Sequence, residues 1–266
     1  MRLPLISLLV SFLFTGAASA QSGGGAHFTI VQASDGKTVG ATQCAFVPVT
    51  SGYQVTSSGQ VKLARFSYSF TNENHLDTEL NIIRDQLSGT VNGAKVTFTM
   101  ASDPSGRQFQ VNIDAAGKPA VTNSFDRHQH LVLLPDLDAA AYVEMVHFAL
   151  EHPQTTWVVI PKQNGLLVPA EYDSQPDLGG NWNGQPVTVH HTTVTISAQN
   201  AISAEIYYTS DGALLEADLP EQNFYVIRDQ FQLQNRPHYT PPQNPAPSAQ
   251  QPDQPPDQQP DQQQPQ

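Results

Sequence analysis

Cysteine is nearly absent. Cys44 is the only one in 266 residues, so no disulfide within the chain can staple the fold, although an oxidising compartment would permit one. Positive charge is scarce as well: 12 Lys and Arg stand against 24 Asp and Glu, a formal net charge of -12. That balance, without basic clusters, argues against nucleic acid and against anionic membrane surfaces as partners. No Gly-x-Ser-x-Gly elbow occurs, which removes the usual serine-hydrolase arrangement. No His-Glu-x-x-His pair occurs, which removes the zinc-protease pattern. No glycine-rich loop opens a helix, so no phosphate cradle or nucleotide cofactor is implied. Gly179-Gly180-Asn181-Trp182-Asn183-Gly184 holds the glycines but precedes a strand-like run. It reads as a wide loop, with Trp182 placed on a rim where it would touch a ligand.

Both ends of the chain lack the marks of a folded domain. Met1 and Arg2 precede the apolar run Leu5 to Phe14, and Ala18-Ser19-Ala20 makes a small-x-small cleavage site. Residues 1–20 therefore read as a signal peptide, and 21–26 as a flexible segment of the exported chain. No cysteine follows the cleavage site for acylation, and no later run is apolar enough to span a bilayer as a helix. Residues 236–266 are Pro, Gln and Asp with almost nothing to bury, and read as a disordered tail that is either solvated or docks an unknown protein. Between them, residues 27–235 form one β-rich domain, large enough to fold on its own core.

Alternation with a period of two runs through this domain. Phe66, Tyr68 and Phe70 alternate with serines. Val96, Phe98 and Met100 alternate with Lys95, Thr97 and Thr99. Phe109, Val111 and Ile113 follow the same rhythm, as do Ile202, Ala204, Ile206 and Tyr208. One face of the sheet is thus apolar and the other wet, the habit of antiparallel sheets. Asp35-Gly36, Asn92-Gly93, Asn164-Gly165 and Asp211-Gly212 supply hairpin turns. Parity switches between Val187/Val189 and Val194/Ile196, which implies a bulge near His190-His191 or a strand passing between two environments. Leu137 to Glu151, free of Gly and Pro, reads as one helix capped by Asp136 or Asp138 and ended before Pro153. The expected fold is mainly β (α+β): a curved antiparallel sheet or half-barrel of about a dozen strands with one helix on its apolar face.

Candidate chemistry is sparse. Asp126, His128 and His130 would share one face of a strand, with the two histidine β-carbons about 7 Å apart, and His190 or His191 could complete a zinc site. The plainer reading is a polar strand end. Glu144, His147 and Glu151 share a helical stripe, read as solvated rather than catalytic. Cys44, beside Ala45-Phe46-Val47, reads as a small buried hydrophobe rather than a nucleophile. Paired carboxylates for glycoside hydrolysis would be Glu171 with Asp173, or others the sequence does not single out, and adjacent parity does not make a cleft.

The opening hairpin, Phe28 to Val31 with Asp35 to Gly40, and the closing one, Ala204 to Leu215, resemble those of a group of uncharacterised periplasmic β-rich proteins. That group is similar in shape to the lipoprotein-localisation carriers, curved half-barrels whose concave apolar face is lined or plugged by helix. The resemblance implies a cavity for an acyl chain and supplies no catalytic residues. A helix is only about 10 Å across, so one helix leaves apolar sheet face uncovered. The expected ligand-binding residues are Phe66, Tyr68, Phe70, Phe98, Met100 and Phe109 from the sheet, Met145 and Phe148 from the helix, and Trp182 from the rim. No catalytic residue, metal or cofactor is assigned. The expected function is an exported, non-catalytic protein, periplasmic or secreted, that takes a hydrophobic small molecule or lipid between sheet and helix. The alternatives are an envelope scaffold docking through its tail and a metal-dependent hydrolase using His128 and His130.

Overall fold

The computed structural model describes residues 25–153, 155–198 and 202–234. The expected signal peptide and tail lie outside the described residues, as does most of 21–26. The first half is an antiparallel meander of β1 (Ala26–Gln32), β2 (Lys37–Val49), β3 (Gly52–Lys62), β4 (Ser67–Leu76), β5 (Ile82–Val91), β6 (Ala94–Ser102), β7 (Gln108–Ala115) and β8 (Val121–Asp126). The short β9 (Leu131–Leu133) leads into α1 (Ala139–Glu151). A second meander follows: β10 (Thr156–Ile160), β11 (Leu166–Trp182), β12 (Gln185–Ile196), β13 (Ile202–Tyr208), β14 (Leu214–Leu219), β15 (Phe224–Arg228) and β16 (Phe231–Leu233). β1 pairs with β15 and fuses the halves into one sheet that runs from β8 at one edge to β9 at the other.

The sheet is mainly antiparallel and curved, as the alternation predicts. It has 16 strands rather than about a dozen. β9 and β16 have three residues each, too few to display a period, and all three residues of β9 are buried. The β9–β10 pair is parallel. Phe66 precedes β4 and is 37% exposed, so the inward-facing series of that strand starts at Tyr68.

β8 and β9 sit at opposite edges of the sheet path, yet residues 127–130 alone separate them in sequence. Five Cα steps span at most roughly 18 Å. The sheet must therefore curl until its edges approach. No ladder joins β8 to β9, so the barrel stays open. α1 fills the interior, packed against β2, β3, β9, β13 and β14. Nine of its 13 residues are buried, including Tyr142, Met145 and Phe148. The helix begins two residues later than Leu137 because Leu137 has φ +60° and Asp138 is the cap, accepting the Ala140 N–H at 3.0 Å. His152, in the left-handed region, ends it and donates its N–H to the Phe148 carbonyl. No described helix is long and apolar enough to cross a membrane.

Residues 179–184 are not a wide loop. Gly179 to Trp182 ladder with Gln185 to Thr188, and Asn183-Gly184 turns the hairpin with both φ positive. The register of β11 slips between Gln175 and Leu178. Beyond that bulge the hairpin lies over the outer face of β13 to β15. A second cluster forms there from Val189, Tyr207, Leu215 and Phe231, with Trp182 and Ile227 against it. β12 therefore passes between two environments, with Val189 in this cluster and Val194 and Ile196 in the main core. The irregularity falls at His190, as the parity switch implies, with the extra residue carried by β11, where Pro176-Asp177 stand opposite it. Tyr207, opposite in parity to Ile206 and Tyr208, is 1% exposed for the same reason.

One close approach fixes the inner face of the first meander. Phe70 faces glycines on both neighbouring strands, Gly59 and Gly89. A β-carbon at 59 would lie 2.7 Å from the Phe70 ring. We predict that Gly59→Ala destabilises the fold by about 1–3 kcal/mol through overpacking. A denaturant double-mutant cycle with Phe70→Leu should show favourable coupling, because the smaller side chain frees the space. Additive effects would show that the ring is not confined.

Candidate functional site

Two features stand out inside the half-barrel: a sealed polar cluster beneath the helix, and a cavity that the helix does not reach.

The cluster forms because the inward face of β3 to β5 is interrupted by Ser57, Asn72, Asn74 and Asp85, all buried. The helix brings Asp138 and Glu144 onto them. Ser57 Oγ donates to Asp138 Oδ2 at 2.9 Å, and Asn72 Nδ2 donates to the same oxygen at 3.4 Å. Asn74 Nδ2 donates to Glu144 Oε1 at 2.8 Å. Burial pushes the Asp138 carboxyl up to about 6, against the opposing hydrogen bonds of Ser57, Ala140 and Asn72. Burial likewise lifts Glu144 to about 8, opposed by Asn74 and reinforced by Asp138. Asp85 is raised well above its ordinary range by burial first, then by Glu144 and Asp138, with the Asn72 amide offsetting part of this. Neither Asp85 oxygen receives an ordinary hydrogen bond, and no described cation pairs with any of the three. Glu144 keeps its proton at neutral pH and Asp138 only below about 6, and the hydrogen bonds of these two fasten the helix to the sheet. None of the three lines the cavity.

The cavity has a volume of about 460 Å³. Its walls are the inner faces of β4 to β8. Its far side is made by Pro135 and Asp136 ahead of α1 and by Pro161, Lys162 and Asn164 after β10. Phe70, Leu87 and Phe98 form the floor, and Val91, Val96, Ile113, Ala115 and Val121 the sides. Tyr68 stacks on Phe70 with ring centroids 5.2 Å apart, and Phe66 leans on Tyr68 at 6.5 Å. The Tyr68 phenol is pushed above its ordinary range by burial, and further by Asp138 and Asp136. The charged residues bordering it are Lys95, Lys118, Lys162 and Asp136, with Lys162 Nζ 2.5 Å from Asp136 Oδ1; Lys95 has the parity of Thr90 and of the outer face.

Of the expected ligand-binding residues, Phe66, Tyr68, Phe70 and Phe98 line this cavity. Met100 and Phe109 belong to the sealed core, at 1% and 0% exposure. Met145 and Phe148 do as well, because the helix plugs the barrel rather than roofing the cavity. The space therefore lies beside the helix, not between helix and sheet. Trp182 is in the outer cluster, with the Arg228 guanidinium 4.4 Å from its ring. Lys118 and Lys162 border the cavity and were not among the expected contacts; Lys118 follows Gly117 in the turn between β7 and β8.

The remaining candidates disperse. β8 ends at Asp126, so His128 and His130 do not share a strand face. His128 packs on Trp157 at 4.1 Å, and His130, with φ +51°, meets Phe148 edge-on. His190 Nδ1 is 2.9 Å from Asp177, and His191 Nε2 is 2.7 Å from Glu205. Among the described residues no group of three His, Cys, Asp or Glu stands close enough to hold a metal. Glu144 is buried rather than solvated, His147 stacks on Phe46 at 4.7 Å, and Glu151 is exposed. Glu171 and Asp173 are both exposed on β11. Cys44 is buried, and burial with the nearby carboxylates pushes its thiol up to about 12, although Arg228 pulls the other way.

No family model matches the sequence, and no curated protein matches it. Among solved structures, the chain is similar to a β-barrel-like protein of the domain of unknown function DUF1849 from Brucella abortus. The TM-score is 0.50 at 8% identity, over 79% of this chain and 97% of that one. At that identity the likeness bears on fold alone, and it agrees with the barrel-like curvature. A protein from Bacteroides fragilis, described as exported and YmcC-like in fold, matches with a TM-score of 0.31 at 7% identity, over 80% and 96%. That likeness carries no argument.

The buried carboxyls set a pH dependence. Their folded pKa values lie above the unfolded ones, so the folded state binds more protons and their stabilising contribution is complete only at low pH. Stability should fall as pH rises from about 4 to about 8, between the ordinary values of 3.8 and 4.5 and the raised 6 and 8. His147, lowered by burial despite Glu151, acts in the opposite sense below its ordinary 6.5. We predict that Glu144→Gln keeps the Asn74 bond, flattens the decline and stabilises by roughly 2–4 kcal/mol at pH 8. Unfolding midpoints measured from pH 4 to 8 check this; a parallel pair of curves would contradict it.

Proposed function

We propose that this protein is an exported, non-catalytic binder that holds an apolar or acyl-chain ligand in the cavity at the open end of its half-barrel. The observation that carries this reading is the 460 Å³ hollow walled by aromatic and aliphatic side chains. It falls within the roughly 300–1,000 Å³ typical of small-molecule pockets. A chain buried there leaves water at a gain of about 25 cal/mol per Å² of apolar area. The half-barrel architecture, plugged by a single helix, is in keeping with the resemblance to the lipoprotein-localisation carriers.

The distribution of titratable groups favours binding over catalysis. The shifted carboxyls Asp85, Asp138 and Glu144 are sealed under the helix, away from the hollow. The side chains that do face the hollow include no histidine, cysteine or serine to act as base or nucleophile. The leader-like residues 1–20 support export.

Filling the hollow tests the reading. Ala115 lies on its wall, opposite Val96. We predict that Ala115→Phe weakens binding of the neutral fluorescent probe N-phenyl-1-naphthylamine about tenfold or more, with little change in the unfolding midpoint. Native mass spectrometry of the unmodified protein should show a retained apolar adduct that the variant lacks. A protein that binds no apolar probe would instead favour the envelope-scaffold reading.

A further inference from the structure

We infer that Asp85 and Glu144, with the side-chain carbonyls of Asn72 and Asn74, hold one calcium ion beneath the helix. The inference is independent of the apolar cavity, whose lining includes none of these residues.

Unused oxygens carry the argument. The four residues are between 1% and 8% exposed. Yet both Asp85 oxygens and the Oδ1 atoms of Asn72 and Asn74 have no hydrogen-bond partner. Buried acceptors are seldom left so, because each forfeits its hydration without return. These acceptors are also gathered in one place. Asn74 and Asp85 stand directly opposite each other in the β4–β5 register, and both point inward. Cross-strand neighbours hold their β-carbons about 5 Å apart, within the reach of one ion. The Asn74 amide is turned to the helix by its Nδ2 bond to Glu144 Oε1 at 2.8 Å. The Asn72 amide is held by its 3.4 Å bond to Asp138 Oδ2, and it reaches Asp85 as well. Among the neighbouring charges, Glu144 acts on Asp85 most strongly, ahead of Asp138. Asp138 is already engaged, since its oxygens accept from Ser57 and from the Ala140 N–H.

The donor set selects the ion. It is all oxygen, two carboxylates and two amide carbonyls, which suits a hard cation rather than zinc or copper. Two carboxylates balance a divalent charge, and no described cation pairs with either. Calcium accepts an irregular shell, and bidentate carboxylates with the two amides offer up to about six oxygens. Magnesium demands regular geometry and keeps several waters, which a site closed to solvent does not favour. The ion replaces the protons that Asp85 and Glu144 otherwise retain, and its binding releases them. The rival explanation is that protons alone suffice, each protonated carboxyl donating to a free amide oxygen.

Thermal unfolding of the full chain at pH 8 provides the test, after refolding in excess EGTA or in about 1 mM calcium chloride. Bound metal is counted by native mass spectrometry. Calcium should raise the midpoint by about 5 °C or more, and one ion per chain should survive desalting. Magnesium should leave the midpoint nearly unchanged. Asp85→Asn and Glu144→Gln each keep the side-chain shape and remove one charge. Both should lose the bound ion and the calcium shift. In EGTA each should be at least as stable as the unmodified protein, and in calcium each should be less stable. Protons alone would not produce that reversal. No calcium shift in the unmodified protein, an equal shift from magnesium, or a calcium shift that persists in both variants would overturn the inference and leave the apolar-cavity reading standing.

Discussion

The constraint on which the molecule depends is the four-residue link between β8 and β9. It ties together the two edges of a sheet whose remaining strands lie, in order, between them. A flat or gently twisted sheet of this length could not satisfy that tether, so the sheet is forced into a near-closed curve. A curve this wide leaves an interior that sheet side chains alone do not fill. The segment that follows the tether, β9 and α1, is led directly into that interior and becomes its plug. The helix is short and cannot occupy the full length of the barrel. The hollow walled by β4 to β8 is what remains.

Seating the plug required an unusual contact. Three carboxyls meet in a dry place with serine and asparagine partners and, among the described residues, without a counter-charge. In ionised form such groups would cost far more than their hydrogen bonds return. A retained proton removes most of that penalty: Glu144, lifted to about 8, keeps its proton at neutral pH, while Asp138, lifted to about 6, keeps its own only below that. The seat of the helix is thus specified by polar geometry as well as by the apolar packing of Tyr142, Met145 and Phe148. The same reasoning separates these groups from chemistry: shifted carboxyls invite a catalytic interpretation, yet these face neither solvent nor the hollow.

Much of this was legible in the residues. Turns at Asp35-Gly36, Asn92-Gly93 and Asp211-Gly212 fall between paired strands, and the alternation around Phe98 and Phe109 names inward-facing residues correctly. The helix was legible to within two residues because Asp138 is both a good cap and the last polar residue before an alanine run. Three things were not legible. The interior position of the helix depends on the order of strands across the sheet, which local periodicity does not encode. The burial of Glu144 depends on Asn74, 70 positions away. The folding of the β11–β12 hairpin over the outer face buried Tyr207 in a second cluster and packed Trp182 against it, although the same dipeptide chemistry at Asn183-Gly184 that identified the other turns was present there too. Four of the nine expected ligand contacts remain at the hollow because the period-two pattern identifies a face, while only the tertiary arrangement decides which part of that face the plug covers.

The solitary thiol has a practical consequence. Cys44 lies in the main core, in a strand whose neighbours are β1 and β3, and its high pKa leaves it almost entirely in the unreactive protonated form. Alkylating reagents can reach it only when the barrel parts. Because there is no second thiol to compete, the rate of its modification is a clock for that opening, built into the unaltered chain and readable by mass alone.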